Sequence, residues 1–238
     1  AGDVNHNPAK GSVKIVITET DSETRVSSSG SPSTYGDPVT FTATVSPSAA
    51  TGTVEFFAGG SSIGFATVSG GTAILTTKSV PAGKNTIKAA YSGDTTYAAS
   101  EGTCSQEVKK ADATINVQGA TVTYDGNAHG ATGTATGADG SDLTSLLTLG
   151  STFTNVSGGT ANWSFSGDEN HNPASGSVDI IINKADATID VQGVTVKYDG
   201  NSHGATGSAI GADGSDLTPL LNLGQKFINI PGGTALWN

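Results

Sequence analysis

Two stretches of this chain are near-copies of each other. From Lys110 the sequence reads KADATINVQGATVTYDGNAHGATGTATGADGSDLTSLLTLG, and from Lys184 it reads KADATIDVQGVTVKYDGNSHGATGSAIGADGSDLTPLLNLG, a period of 184 − 110 = 74 residues. Self-similarity at this level marks two copies of one structural unit. The second copy runs to Asn238, which aligns with Ser164 of the first. The counterpart of the stretch after Ser164 stands at the opposite end of the chain. Residues 1–17, AGDVNHNPAKGSVKIVI, match 166–182, SGDENHNPASGSVDIII, at an offset of 166 − 1 = 165. Joined tail to head, 184–238 and 1–17 make one nearly complete unit that lacks only an equivalent of Phe165. The chain therefore divides into a terminal strand piece (1–19), a domain of different sequence (20–109), a whole repeat (110–183) and an incomplete repeat (184–238).

Strand signals dominate all four parts. In 20–109, Val39, Phe41, Ala43 and Val45 alternate with threonine, the period-2 pattern of a half-buried strand. Further strands are expected at 53–58, 62–68, 72–77, 85–91 and 103–108. Gly59-Gly60, Gly70-Gly71 and Pro81-Ala82-Gly83 punctuate them. About seven short strands in some 90 residues is the pattern of an Ig-like sandwich. In the repeat, strands are expected near 113–118, 121–124, 131–136, 146–149, 152–156, 160–165 and 177–182. A short helical turn over 141–147, capped by Ser141, fits between them. Both domain types carry a Tyr-Gly-Asp or Tyr-Asp-Gly step before a strand, at 35–37 and 124–126. Both also carry a similar late corner, YSGDTTYAAS at 91–100 and FSGDENHNPAS at 165–175. The expected fold is all-β, with tandem Ig-like β-sandwich modules whose very short joints, at 109–111 and 183–185, favour a rod.

Composition narrows the function classes. Eleven Lys+Arg against 21 Asp+Glu give a net charge of −10, which repels nucleic-acid phosphates. No apolar run reaches the roughly 18 residues of a spanning helix, and a single Cys excludes an intrachain disulfide. The 33 glycines, about twice the usual share, and abundant Ser and Thr disfavour long helices and suit an extracellular β-protein. The chain opens on Ala1 rather than Met, as a processed or truncated product would.

Residues 24–108, with VTFTATVSP, GTVEFF, GTAILTT and AGKNTIKAAYSGDTTYAAS, resemble bacterial Ig-like domains. The KADATI, YDGNAHGATG and GGTANWSFSGDENHNPASG segments of 110–183 resemble YDG/MBG-type repeats of large bacterial surface proteins, as do 184–238 and 1–17. The resemblance implies an exported, non-enzymatic, rod-building protein of the cell surface, repeated in adhesins and stalks. It identifies no ligand.

The chemistry-bearing residues favour structural roles. His6 and His171 share one repeat position, His129 and His203 another, and each is expected to close a turn, because no second ligand stands at metal spacing. The acidic turns are better metal candidates. Asp139 and Asp142, their repeats Asp213 and Asp216, and the Asp168 corner could offer oxygens to calcium, although Asp beside Gly or Ser is also an ordinary turn former. No other cofactor is implied, and no catalytic residue emerges, for want of a nucleophile elbow or an isolated carboxylate pair. Cys104 reads as a small packed side chain. Trp163 and Trp237 read as core anchors.

The incomplete repeat points to self-association. Val13, Ile15 and Ile17 alternate to one face and complement the groove expected beside Trp237 in 184–238. Burial of three such side chains contributes roughly 5–8 kcal/mol, from about 1.5–3 kcal/mol each. Chain ends seldom fall within a strand, so a continuous array of copies is expected ahead of subunits joined by strand complementation. A head-to-tail contact of either kind is heterologous and open-ended. The expected function is a structural module of an extracellular surface fibre or adhesin stalk whose partners are neighbouring copies of itself. The alternative is an adhesin module that binds glycan or host protein through acidic loops such as GADGSDL.

Overall fold

The computed structural model describes residues 4–7 and 10–238. Residues 1–3, 8 and 9 of the terminal piece lie outside the described residues. The chain forms two compact units, one of residues 1–111 with Glu169–His171, the other of residues 112–168 and 172–238.

The first unit is an Ig-like sandwich. One sheet holds β1 (Glu23–Ser28), β3 (Val39–Ser46) and β6 (Thr72–Thr77) in the order β1-β3-β6. The other has the order β2-β8-β7-β4-β5, from β2 (Ser33–Thr34), β8 (Ser100–Lys109), β7 (Gly83–Tyr91), β4 (Thr53–Ala58) and β5 (Ser61–Thr67). The alternation in β3 does what its pattern requires, with Val39, Phe41, Ala43 and Val45 all buried. Phe41 meets Phe56 of the opposite sheet with ring centroids 6.4 Å apart, so the core is sealed by aromatic contact between the sheets. Cys104 packs at the rim of this core, as its sequence context suggested. Burial pushes its thiol pKa up.

One feature of this core had no signal in the sequence. Gln106, in β8, is fully buried. Its amide donates to the carbonyls of Gly30 (3.0 Å) and Glu107 (2.9 Å) and to the Ser33 hydroxyl (3.1 Å), while its oxygen accepts from the Ser28 hydroxyl. These bonds offset the cost of burying an amide and hold the 28–33 loop on the sheet.

The second unit contains the whole repeat. Here β9 (Thr114–Gln118) pairs antiparallel with β11 (Thr132–Thr136). A four-stranded sheet has the order β10-β14-β13-β12, from β10 (Ala120–Thr123), β14 (Ala174–Asn183), β13 (Gly159–Phe165) and β12 (Leu147–Thr148). β14 lies inside that sheet, parallel to β10 on one side and antiparallel to β13 on the other. Its Ile180 and Ile182 form the buried centre with Ala161, and Val122, Tyr124, Phe153 and Val178 pack around them.

Three expectations are corrected. Residues 152–156 form no strand; only Phe153 makes a bridge, to His129. The helical turn is a single 3-10 turn, Thr144–Leu146, preceded by Leu143 rather than Ser141. The Ser141 hydroxyl instead donates to Asp139. Trp163 is only half-buried and lies across Gly176, and Trp237 is half-exposed, so neither is a fully buried anchor.

Candidate self-association site

Residues 184–238 reproduce the whole repeat wherever both partners of a contact are present. β15 (Thr188–Gln192) pairs with β16 (Thr206–Ile210) as β9 pairs with β11, and a 3-10 turn at Thr218–Leu220 repeats that at Thr144–Leu146. His203 and Phe227 exchange backbone bonds of 2.9 and 2.8 Å, as His129 and Phe153 do at 2.8 Å each. Asn222 and Asn238 exchange bonds of 3.0 and 3.1 Å, the place of the Thr148–Ser164 pair in β12 and β13. Phe227 crowds Gly233 as Phe153 crowds Gly159.

The difference is confined to the place of β14. The counterparts of β10, β12 and β13, residues 194–197, 221–222 and 233–238, form no strand. In the whole repeat β10 pairs with β14, and β13 pairs with β14 along its length and with β12 at its end, so the loss of β14 removes the partner of the first and the longer ladder of the second. An open groove of about 750 Å³ remains between them, lined by Val194, Val196, Tyr198, Phe227, Ile230 and Trp237 among others. Val194, Val196 and Trp237 are each about half-exposed.

The counterpart of β14 lies in residues 9–18. Residues 10–19 are exposed throughout and form no strand. Val13, Ile15 and Ile17 are 87, 81 and 92% exposed, against 1% for Ile180 and Ile182. A segment with an apolar alternation open to water and an apolar groove whose counterparts pack together in 110–183 thus occur in the same chain.

The remaining candidates are occupied with turn structure. Asp139 accepts from the backbone N–H and hydroxyl of Ser141, and Asp142 from the backbone of Thr144. Asp213 and Asp216 do the same for Ser215 and Thr218. Asp213 also accepts from the Tyr124 hydroxyl at 2.8 Å; its Ser215 bonds, and after them this one, hold its carboxyl down to about 2. Asp168 lies at the YSGD-like corner. Among the described residues no three His, Cys, Asp or Glu side chains converge on a cation site.

The histidines divide into two roles. Nε2 of His129 lies 2.9 Å from Oδ1 of Asp125, whose other partner is Asn127, and His203 repeats this with Asp199 at 2.8 Å. The Asn127 and His129 bonds hold the Asp125 carboxyl down at about 2; His203 and Asn201 lower that of Asp199. His171 is buried in the first unit, edge-on to Tyr35 with centroids 5.3 Å apart. There Asn170 accepts from the Ala111 N–H, as Thr96 accepts from Thr20, so the two late corners share one bridge geometry. In the Ig-like corner Asp94 takes three backbone N–H groups, of Thr51, Thr96 and Tyr97, which lowers its pKa strongly.

Residues 26–109 match the model of the bacterial Ig-like domain (group 3). Two solved structures are similar. One is of fibronectin(III)-like modules of Clostridium thermocellum CbhA, at 18% identity and a TM-score of 0.29, covering 66% of this chain and 94% of that one. The other is dimeric latent PorU from Porphyromonas gingivalis, at 13% identity and a TM-score of 0.28, covering 79% of this chain and 26% of that one. No curated protein matches the chain. No helix among the described residues is long and apolar enough to cross a membrane.

Proposed function

We propose that this chain is a structural module of an extracellular bacterial surface fibre or adhesin stalk, in which copies follow one another head to tail and each joint is a β-sandwich completed across two copies. One observation carries the reading: the groove in 184–238 and the exposed segment 10–18 are counterparts of surfaces that are packed together within 110–183. The bacterial Ig-like domain at 26–109 supports the setting. The role is mechanical. Sandwiches in series supply length and stiffness, and an open-ended joint sets no limit on the number of copies.

Two measurements test this reading. Antibody against the Ig-like domain should label intact cells of the source bacterium, and protease added to those cells should remove the label. Negative-stain microscopy of the purified chain should show unbranched fibres. Labelling only after lysis, or isolated particles at every concentration, would overturn it.

A further inference from the structure

Three glycines of the whole repeat mark where β14 passes. A Cβ on Gly119 would run into the carbonyl oxygen of Asp179, and one on Gly158 into that of Ile180. One on Gly176, in β14 itself, would lie 2.5 Å from the Trp163 ring. Their counterparts are Gly193, Gly232 and Gly11, and at all three a Cβ would meet nothing within 4 Å. Gly232 has a φ of +82°, which accounts for glycine there. Neither Gly193 nor Gly11 has such a backbone, and nothing else within this chain requires glycine at either place. Apart from Gly126, which Asp213 of the second copy crowds and whose counterpart Gly200 is open, glycines crowded by neighbours other than β14 have counterparts that stay crowded, as Gly150 and Gly224 do. Gly193, Gly232 and Gly11 therefore trace the outline of one strand.

We infer that residues 10–18 of a second copy of this chain occupy the groove in the register of β14, parallel to 194–197 and antiparallel to 233–238. This rests on the head-to-tail reading above and specifies the contact. In the whole repeat Ala120 pairs with Ile180 and Asn183 with Thr123. The same register sets Val194 beside Ile15 and Lys197 beside Thr18. From the pairing of Ala161 with Val178 and Trp163 with Gly176, Val13 faces Ala235 and Gly11 lies under Trp237. The Tyr198 N–H then takes the carbonyl of Thr18, as that of Tyr124 takes Asn183 at 2.9 Å. Two bonds have no counterpart: the Ser157 N–H donates to Ile182, where Pro231 stands at the donor position without an N–H, and the Thr160 hydroxyl donates to Asp179, where Lys14 stands at the acceptor position. Net charge is opposite on the two pieces, although Lys197 lines the groove itself. The segment carries Lys10 and Lys14, whereas 184–238 holds five aspartates against three lysines.

The test uses the full chain in sedimentation velocity across a range of concentrations. The expected result is a head-to-tail series growing from 23.6 kDa, and its loss in Gly193→Ala with an unchanged far-ultraviolet circular dichroism spectrum. A second arm reads the register in a Cys104→Ser background. Val13→Cys with Ala235→Cys should give an oxidised ladder of chains, and Lys14→Cys with Ala235→Cys, which points the thiol to the other face, should not. A wild-type chain that stays monomeric, a series that persists in Gly193→Ala, or a 13–235 disulfide closed within one chain would overturn the inference. Surface labelling of cells is independent of all three, so the cellular reading and the register can fail separately.

Discussion

The whole repeat at 110–183 and its counterpart at 184–238 share nearly the same residues and differ by one strand. With β14 in place, Ala120–Thr123 and Gly159–Phe165 are strands and Ile180 and Ile182 are sealed. Without it, 194–197 and 233–238 are irregular, while the β15–β16 pair, the 203–227 bridge and the 222–238 bridge are unchanged. A central strand of a small sandwich is thus a shared hydrogen-bond partner rather than an added layer. Its absence undoes the two strands beside it, reduces the place of β12 to the 222–238 bond pair and leaves the rest standing, because the remaining contacts are local and each satisfies its own backbone groups.

That contrast can be broken most directly by supplying the strand. A chain extended after Asn238 by Phe and a copy of residues 1–18 should complete its own second repeat. Burial of the added valine and two isoleucines should contribute roughly 5–8 kcal/mol to the stability of that repeat. Hydrogen exchange should slow across 194–197 and 233–238; unchanged exchange there would refute the equivalence of the two segments.

A smaller effect separates the two copies of one isoleucine. Ile180→Ala removes a sealed side chain and should cost about 2–5 kcal/mol in urea unfolding. Ile15→Ala, at the matching position, should leave the dilute monomer's unfolding midpoint where it was, because Ile15 is 81% exposed. Equal losses from both would mean that residue 15 is already packed.

The Asp–Asn–His turns should behave alike in the two copies, since neither touches the strand. Asp125→Asn and Asp199→Asn should lower the melting temperature by similar, modest amounts. Both carboxyls are depressed in the fold, Asp125 to about 2. Their contribution is therefore complete above the unfolded carboxylate value near 3.9 and fades as pH falls toward the folded one. Melting followed between pH 5 and pH 2 should lose part of its acid slope in each variant; slopes identical to wild type would remove these turns from the acid response. The smallest expected change is none at all. Calcium and a chelator should give superimposable melts, since Asp139, Asp142, Asp213 and Asp216 already accept turn hydrogen bonds. A calcium-dependent rise would restore the acidic loops as a binding site.

Much of the fold was legible from alternation. β3, β4, β7 and β13 fall where Val, Phe, Ile and Ala recur every second residue between turn formers, because one buried face enforces that period. The strand expected at 152–156 failed because Phe153 is held by its bridge to His129 and by packing on Gly159, which leaves its neighbours no ladder to join. β1 and β2 carry too few apolar residues to signal themselves, and β2 is held in part by parallel pairing with β8. Gln106 was invisible for a different reason. A buried amide is tolerated only where several loops deliver partners at once, and no local pattern encodes that convergence.

The candidate joint shows the same division. The offset between residues 1–17 and 166–182 is written in the chain, and with it which segment matches which, since near-identical sequence carries the same burial pattern. Only the tertiary structure decided that the groove stands open with its other contacts intact, that Val13, Ile15 and Ile17 lie bare to water, and that Gly11 and Gly193 face empty space. A sequence states what a strand would bury; whether the space for it is shaped and open depends on how every other element packs around it.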